Sequence, residues 1–240
     1  MSVFARLVEQ LAELLQPLFH ASAAAAAIVL FTMLVRLLVH PLSRAAARGQ
    51  KARTALQPRI AELRRKHAKN PERLQKAVLE LHAEEKVSPL SGCLPSLLQL
   101  PAFFLLYHLF SSSTIGGERN ELLTHELLAA PLGDRWSDAL AGGGAFGAAG
   151  AVYLALFAVV LVVAAYNFRR ARRTLAESGA PVPAGAEGEG AVPGLAAVGK
   201  VMPFMSFATL ITVAVVPLAA ALYVVTSTAW SAAERAVLYR

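Results

Sequence analysis

Arg36 stands inside an apolar run, Ala21 to Val39, that holds no other charge. A guanidinium stays charged at physiological pH and presents its donors in a planar fork, so in a low-dielectric setting it can bind an anion or steer an acidic polypeptide segment. Two roles are open to it. It can face a protein interior or aqueous cavity, or, four residues before His40 and about 6 Å of helix from the end of the run, it can snorkel to lipid headgroups. Thr32 precedes Arg36 by one helical turn on the same face. Ser96 and Gln99 share a face at i,i+3 in a second apolar run, and Thr209, Thr212, Thr226 and Ser227 lie in the last one. Together these groups can wet a groove, although each Ser or Thr alone reads as a helix-packing or back-bonded hydroxyl. The Gln99 amide is costly facing lipid and wants an interhelical partner or water.

Catalytic and metal chemistry find no pattern in the chain. Cys93 is the single cysteine, which excludes an internal disulfide and a four-thiolate zinc site. His20, His40, His67, His82, His108 and His125 fall into no ligand spacing, and His125-Glu126 lacks the second histidine of a zinc-protease helix. The glycines 142 to 144 are not followed by the lysine of a phosphate-binding loop. No enzyme activity, cofactor, nucleotide or metal is expected.

The elements that must position Arg36 are membrane spans. Of 240 residues, 56% are hydrophobic and 16% charged, against about 45–50% and about 25% in ordinary soluble domains. Apolar blocks lie at 21 to 39, with a stop expected at His40-Pro41, and at 93 to 110, 148 to 168 and 201 to 230. The last exceeds one span and is interrupted by Pro203 and Pro217, so two short spans joined by a tight turn are expected. The expected fold is all-α and polytopic, with five transmembrane helices. Pro95 and Pro101 loosen the second span near its polar residues, while Met33, Met202 and Met205 read as adaptable apolar packing. Residues 1 to 20 form an amphipathic segment, either lying along the interface or extending the first span. Glu9 and Glu13 disfavour a signal peptide there.

Charge sorts by segment. Residues 41 to 90 carry 12 Lys and Arg against 5 Asp and Glu, which equals the chain's whole net charge of +7. Residues 111 to 147 carry 2 against 5, residues 168 to 200 carry 5 against 3, and the tail after 230 carries 2 against 1. The positive-inside tendency puts the basic segments and the C-terminus in the cytoplasm, and the N-terminus and 111–147 outside. Residues 44–86 read as a cytoplasmic helical hairpin with arms 44–69 and 71–86. Leu56, Ile60 and Leu63 form one apolar stripe and Leu74, Ala77, Val78 and Leu81 the other, with Asn70-Pro71 as cap and first-turn pair. Gln57-Pro58 is a place to kink or restart the first arm. Arg59, Arg64, Arg65, Lys66 and Lys69 cluster near one end. They suit solvated charge with anionic-lipid contact, or a partner such as a ribosome surface; no interleaved aromatics support sequence-specific nucleic-acid binding.

These residues resemble the YidC/Oxa/Alb family of membrane protein insertases. The likeness covers about residues 20 to 233. It rests on Arg36 before His40-Pro41-Leu42, Leu56-Gln57-Pro58, Val87-Ser88-Pro89-Leu90, Gly92-Cys93-Leu94-Pro95, Gln99, Pro101-Ala102-Phe103-Phe104, Met202-Pro203-Phe204, Pro217 to Tyr223, and Ser227. The resemblance implies a five-span core, 21–233, in a bacterial plasma membrane, followed by a short tail, 234–240. It implies a monomer, alone or with a translocon, whose hydrophilic groove opens to cytoplasm and lipid and is closed outside. Arg36 matches the family's groove arginine, and the hairpin the element that receives newly made membrane proteins. Departures are Ala220-Ala221-Leu222-Tyr223-Val224 and Ser227-Thr228, where the family commonly has Gly-Leu, Tyr-Trp and Ser-Asn, and a long 168–199 loop expected to be mobile. Neither a large domain before the first span nor a long basic tail is expected, so tail-mediated ribosome binding is not carried over. Two alternatives stand beside insertion: a non-inserting assembly factor of the same fold, and a small transporter or channel.

Overall fold

A computed structural model describes residues 2–68, 70–85, 94–177 and 202–238. The fold is all-α apart from two minimal hairpins. Helix α1 (Ser2–Phe19) is followed by a 3-10 turn (His20–Ser22), in which His20 takes a left-handed φ of 47°. The chain there reverses, so α1 folds back along α2 (Ala23–Lys66) and brings the Phe4 and Phe31 rings to 6.5 Å. Ala5, Val8 and Ala12 are the buried stripe of α1, at the spacing that puts them on one helical face. The segment is therefore a separate amphipathic helix packed on α2, not an extension of it.

Helix α2 runs unbroken for 44 residues through Pro41 and Pro58. Sequence placed a stop at His40-Pro41 and a kink or restart at Pro58. Each proline removes one N–H and costs about 3 kcal/mol in a helix interior, yet packing along both halves of α2 holds the helix in one piece. Its far end pairs with α3 (Pro71–Glu84), where the Asn70 side chain accepts from the Arg73 amide at 3.0 Å and Pro71 fills the first turn. Leu56, Ile60 and Leu81 make a small core between the two arms, with Leu63 and Val78 against it. This core is separate from the main one. Residues 86–93 and 178–201, which include the Val87 to Cys93 motif and most of the 168–199 loop, lie outside the described residues, as does Lys69.

Helix α4 (Leu94–Ser111) leads into β1 (Thr114–Ile115), β2 (Glu118–Arg119), a 3-10 turn, β3 (Glu126–Leu127) and β4 (Ala130–Pro131), paired as two antiparallel hairpins. A short helix α5 (Trp136–Gly143) then precedes the long α6 (Ala148–Glu177). A 3-10 stretch (Met202–Phe207), α7 (Ala208–Val215) and α8 (Leu218–Leu238) complete the chain. The helix breaks at Val216-Pro217, because Pro217 has no N–H to continue it. Helical stretches at 3–66 and 148–173 are long and apolar enough to cross a membrane, and a shorter apolar stretch lies at 204–215.

The 111–147 segment does more than connect. Its Ile115, Leu122, Ala130, Leu132 and Ala139 join the main core. The carbonyls of Asp134 and Leu132 accept from the Leu218 and Ala219 amides at 2.8 and 2.9 Å, satisfying first-turn donors of α8 that have no partner within the helix. Asp134 also uses its carbonyl to accept from the Tyr153 hydroxyl at 2.6 Å. One backbone oxygen thus ties α6 and α8 to the same loop. Buried Asn120 donates to the carbonyls of Leu109 and Ser112 at 2.8 and 2.9 Å, pinning the loop to the end of α4.

Small residues set the helix spacing. Ala219, Ala220 and Ala221 have no exposed surface, and Ala24, Ala25 and Ala27 of α2 have almost none. Such residues let backbones approach closely, and α2 and α8 pack against each other.

Candidate functional site: a polar seam between α2 and α8

Around Arg36 the α2/α8 seam is polar. Arg36 is half-buried, and its Nε donates to Ser227 Oγ at 3.0 Å while Nη2 donates to the same oxygen. Ser227 itself is 5% exposed. One turn further along α2, His40 Nδ1 lies 2.6 Å from Glu234 Oε1. Tyr223, Glu234 and Arg235 all stand close enough to act on the Arg36 charge. Both helices run in the same direction here, so the two contacts form successive rungs.

The surroundings are apolar. Leu34, Leu37 and Leu38, flanking Arg36 on α2, are exposed by 50, 57 and 79%. Tyr223 is held from the other side by Phe103 and Phe110 of α4, with ring centroids 5.9 and 6.0 Å away. A charged group is thus fixed by a hydroxyl beside a greasy surface. Because one neutral oxygen takes two of its donors, the guanidinium keeps its charge and several further N–H groups for another acceptor.

The sequence-derived groove residues separate on inspection. Arg36 and Ser227 meet. Thr32 is 1% exposed and donates to the Ile28 carbonyl at 2.7 Å, so its hydroxyl is spent within its own helix. Thr212 is exposed and donates to the Ala208 carbonyl at 3.3 Å, while Thr209 and Thr226 are half-buried. Ser96 and Gln99 fall on α4, with side chains outside the described residues. Sequence reasoning passed over His40, Tyr223 and Glu234 as site residues. A signal existed: His40 follows Arg36 by four residues and Glu234 follows Ser227 by seven, which keeps each pair on one helical face.

On the hairpin, Arg59 is exposed and ion-pairs with Glu85. Arg64, Arg65 and Lys66 occupy the last turn of α2, where positive charge complements the helix dipole. Among the described residues, no group of three or more His, Cys, Asp or Glu is placed to hold a metal ion.

The chain is 44% identical over 87 residues to the membrane protein insertase YidC of Clostridium perfringens, covering 36% of this chain and 37% of that protein. It is 38% identical over 100 residues to that of Chlorobium phaeovibrioides, covering 42% and 17%. With the Anaeromyxobacter protein of the same name it shares 41% over 87 residues, covering 36% and 16%. The aligned segments thus span well under half of these relatives. The family model described as 60Kd inner membrane protein matches residues 15–240, nearly the whole sequence. On this match the chain, a multi-pass protein of the plasma membrane, belongs to the 60Kd inner membrane protein family, that of the YidC/Oxa/Alb insertases.

Proposed function

We propose that this protein inserts and chaperones other membrane proteins, using the α2/α8 seam as the wall of a hydrophilic groove. The observation that carries the reading is the Arg36–Ser227 contact, a charged donor held by a neutral oxygen beside exposed leucines. The chain's similarity to membrane protein insertases supports it. Five spans then correspond to α2, α4, α6, the α7 region and α8, with the N-terminus outside and the C-terminus cytoplasmic. The α2/α3 hairpin projects into the cytoplasm and receives clients, with translocon and ribosome as further partners. The 111–147 segment, packed beneath the start of α8, closes the outer end.

In this mechanism a short hydrophilic stretch of an incoming chain leaves water for the groove, where Arg36 and bound water replace part of its lost hydration. Moving an unpaired polar amide into hydrocarbon costs several kcal/mol, and a charge at mid-bilayer costs about 2.5–3.5 kcal/mol on insertion scales. Shortening the dry path lowers that barrier without nucleotide or covalent chemistry. The apolar stretch of the client slides along the leucine face of α2, and partition into lipid releases it.

The test is reconstitution of the full chain in proteoliposomes with a single-span client bearing a short acidic outer tail. Protease protection of that tail above the level in empty liposomes is the expected result. No excess over empty liposomes would remove the insertase reading and leave a non-inserting assembly factor.

A further inference from the structure

A second basic feature lies away from the Arg36 seam. Arg169, Arg172 and Arg173 fall at i, i+3 and i+4 on α6 and share one face. With Ala165, Phe168 and Phe207 they line an open hollow of about 410 Å³. All three arginines are exposed, and among the described residues no carboxylate pairs with them. Their neighbour Arg170 points its charge elsewhere, donating to the Arg235 carbonyl at 3.2 Å and so joining the ends of α6 and α8. The floor of the hollow is aromatic: Phe168 stands 5.0 Å from Phe204 and 5.8 Å from Phe207, and the Arg172 guanidinium lies 5.8 Å above the Phe168 ring.

We propose that this hollow binds the phosphate of an anionic phospholipid, with its acyl chain on the Phe168 and Phe207 floor. Depth, charge and shape agree on that occupant. From Ala148 to Phe168 the helix advances about 31 Å, one hydrocarbon thickness, which sets the arginines at headgroup level. Three cations on adjacent turns repel each other until an anion sits among them. A basic pocket between helices with an apolar floor suits a phosphate attached to hydrocarbon better than a free phosphate, which gains nothing from phenylalanine. The site rests on the membrane placement proposed above for its depth, but not on insertion activity.

The experiment is native mass spectrometry of the delipidated full chain titrated with phosphatidylglycerol and, separately, phosphatidylcholine. The triple variant Arg169→Gln, Arg172→Gln, Arg173→Gln should lose about tenfold or more in phosphatidylglycerol affinity. The triple arginine-to-lysine variant should keep most of it, which separates lost charge from lost fold. The hairpin control Arg73→Gln, Lys76→Gln, exposed on α3 and outside the basic cluster at its turn, should bind as the wild type does. Excess inorganic phosphate should fail to displace the lipid. Undiminished binding by the glutamine triple, equal loss in the hairpin control, equal binding of phosphatidylcholine, or displacement by inorganic phosphate would each overturn the proposal. Because the readout is lipid binding, it is independent of whether clients are inserted.

Discussion

His40 on α2 and Glu234 on α8 meet at 2.6 Å, one rung beyond the Arg36–Ser227 contact, so two polar contacts clamp these packed helices. Residues in direct contact couple energetically, by about 0.5–3 kcal/mol in double-mutant cycles. His40→Ala, Glu234→Ala and the double variant should therefore be non-additive by about 1 kcal/mol in an unfolding titration in detergent. Strict additivity would mean that the pair contributes nothing to the clamp.

The seam should be wet. Cys93 is the single native cysteine, so a Cys93→Ser background carrying Ser227→Cys gives one thiol at the site. A membrane-impermeant thiol reagent should label it in proteoliposomes, whereas a cysteine at buried Val213 in the same background should stay unlabelled. Equal protection of both positions would argue for a dry, merely structural contact.

A pH effect follows from Asp134, whose backbone caps α8. Burial, and then the negative charge of Asp138, push its carboxyl above the usual range. For such a group the folded state binds the proton more tightly than the unfolded one. Its favourable contribution is complete below the unfolded value of about 3.9 and is lost as pH rises through the folded value. Asp134→Asn should therefore raise the melting temperature at neutral pH, and the gain should vanish in acid. The backbone bonds to Leu218 and Tyr153 are untouched by the change.

The hairpin has its own core, and should unfold by itself. Ile60→Ala opens the contact among Leu56, Ile60 and Leu81 at a cost of about 2 kcal/mol or more. Hydrogen exchange should then accelerate about 30-fold in α3 with α8 unchanged. Acceleration spread over both helices would join the hairpin to the main core.

What could be read from sequence was local. Asn70-Pro71 announced the turn between the hairpin arms because cap and first-turn chemistry act within four residues, and Pro217 announced the break before α8 for the same reason. Pro41 misled, since a proline's penalty is fixed while the packing that outweighs it comes from distant segments. Arg36 was conspicuous as the lone charge in its run, but its partner Ser227 lies 191 residues away and no spacing links them. Thr32 shared the right face, yet its hydroxyl bonds to Ile28 behind it. The capping of α8 by Leu132 and Asp134 uses backbone carbonyls, which any residue carries, so the sequence of 111–147 showed only its negative charge.

Arg36 is the center of the account, and the most direct measurement is insertion by proteoliposomes carrying wild type, Arg36→Ala or Arg36→Lys at equal reconstituted amounts. Loss of one charge-assisted contact to the client, about 1.5–3 kcal/mol, predicts at least about tenfold slower protection of the acidic tail for alanine. Lysine restores the charge without the planar fork and should recover part of the rate. Wild-type rates from Arg36→Ala, with the protein folded and present, would contradict the groove mechanism.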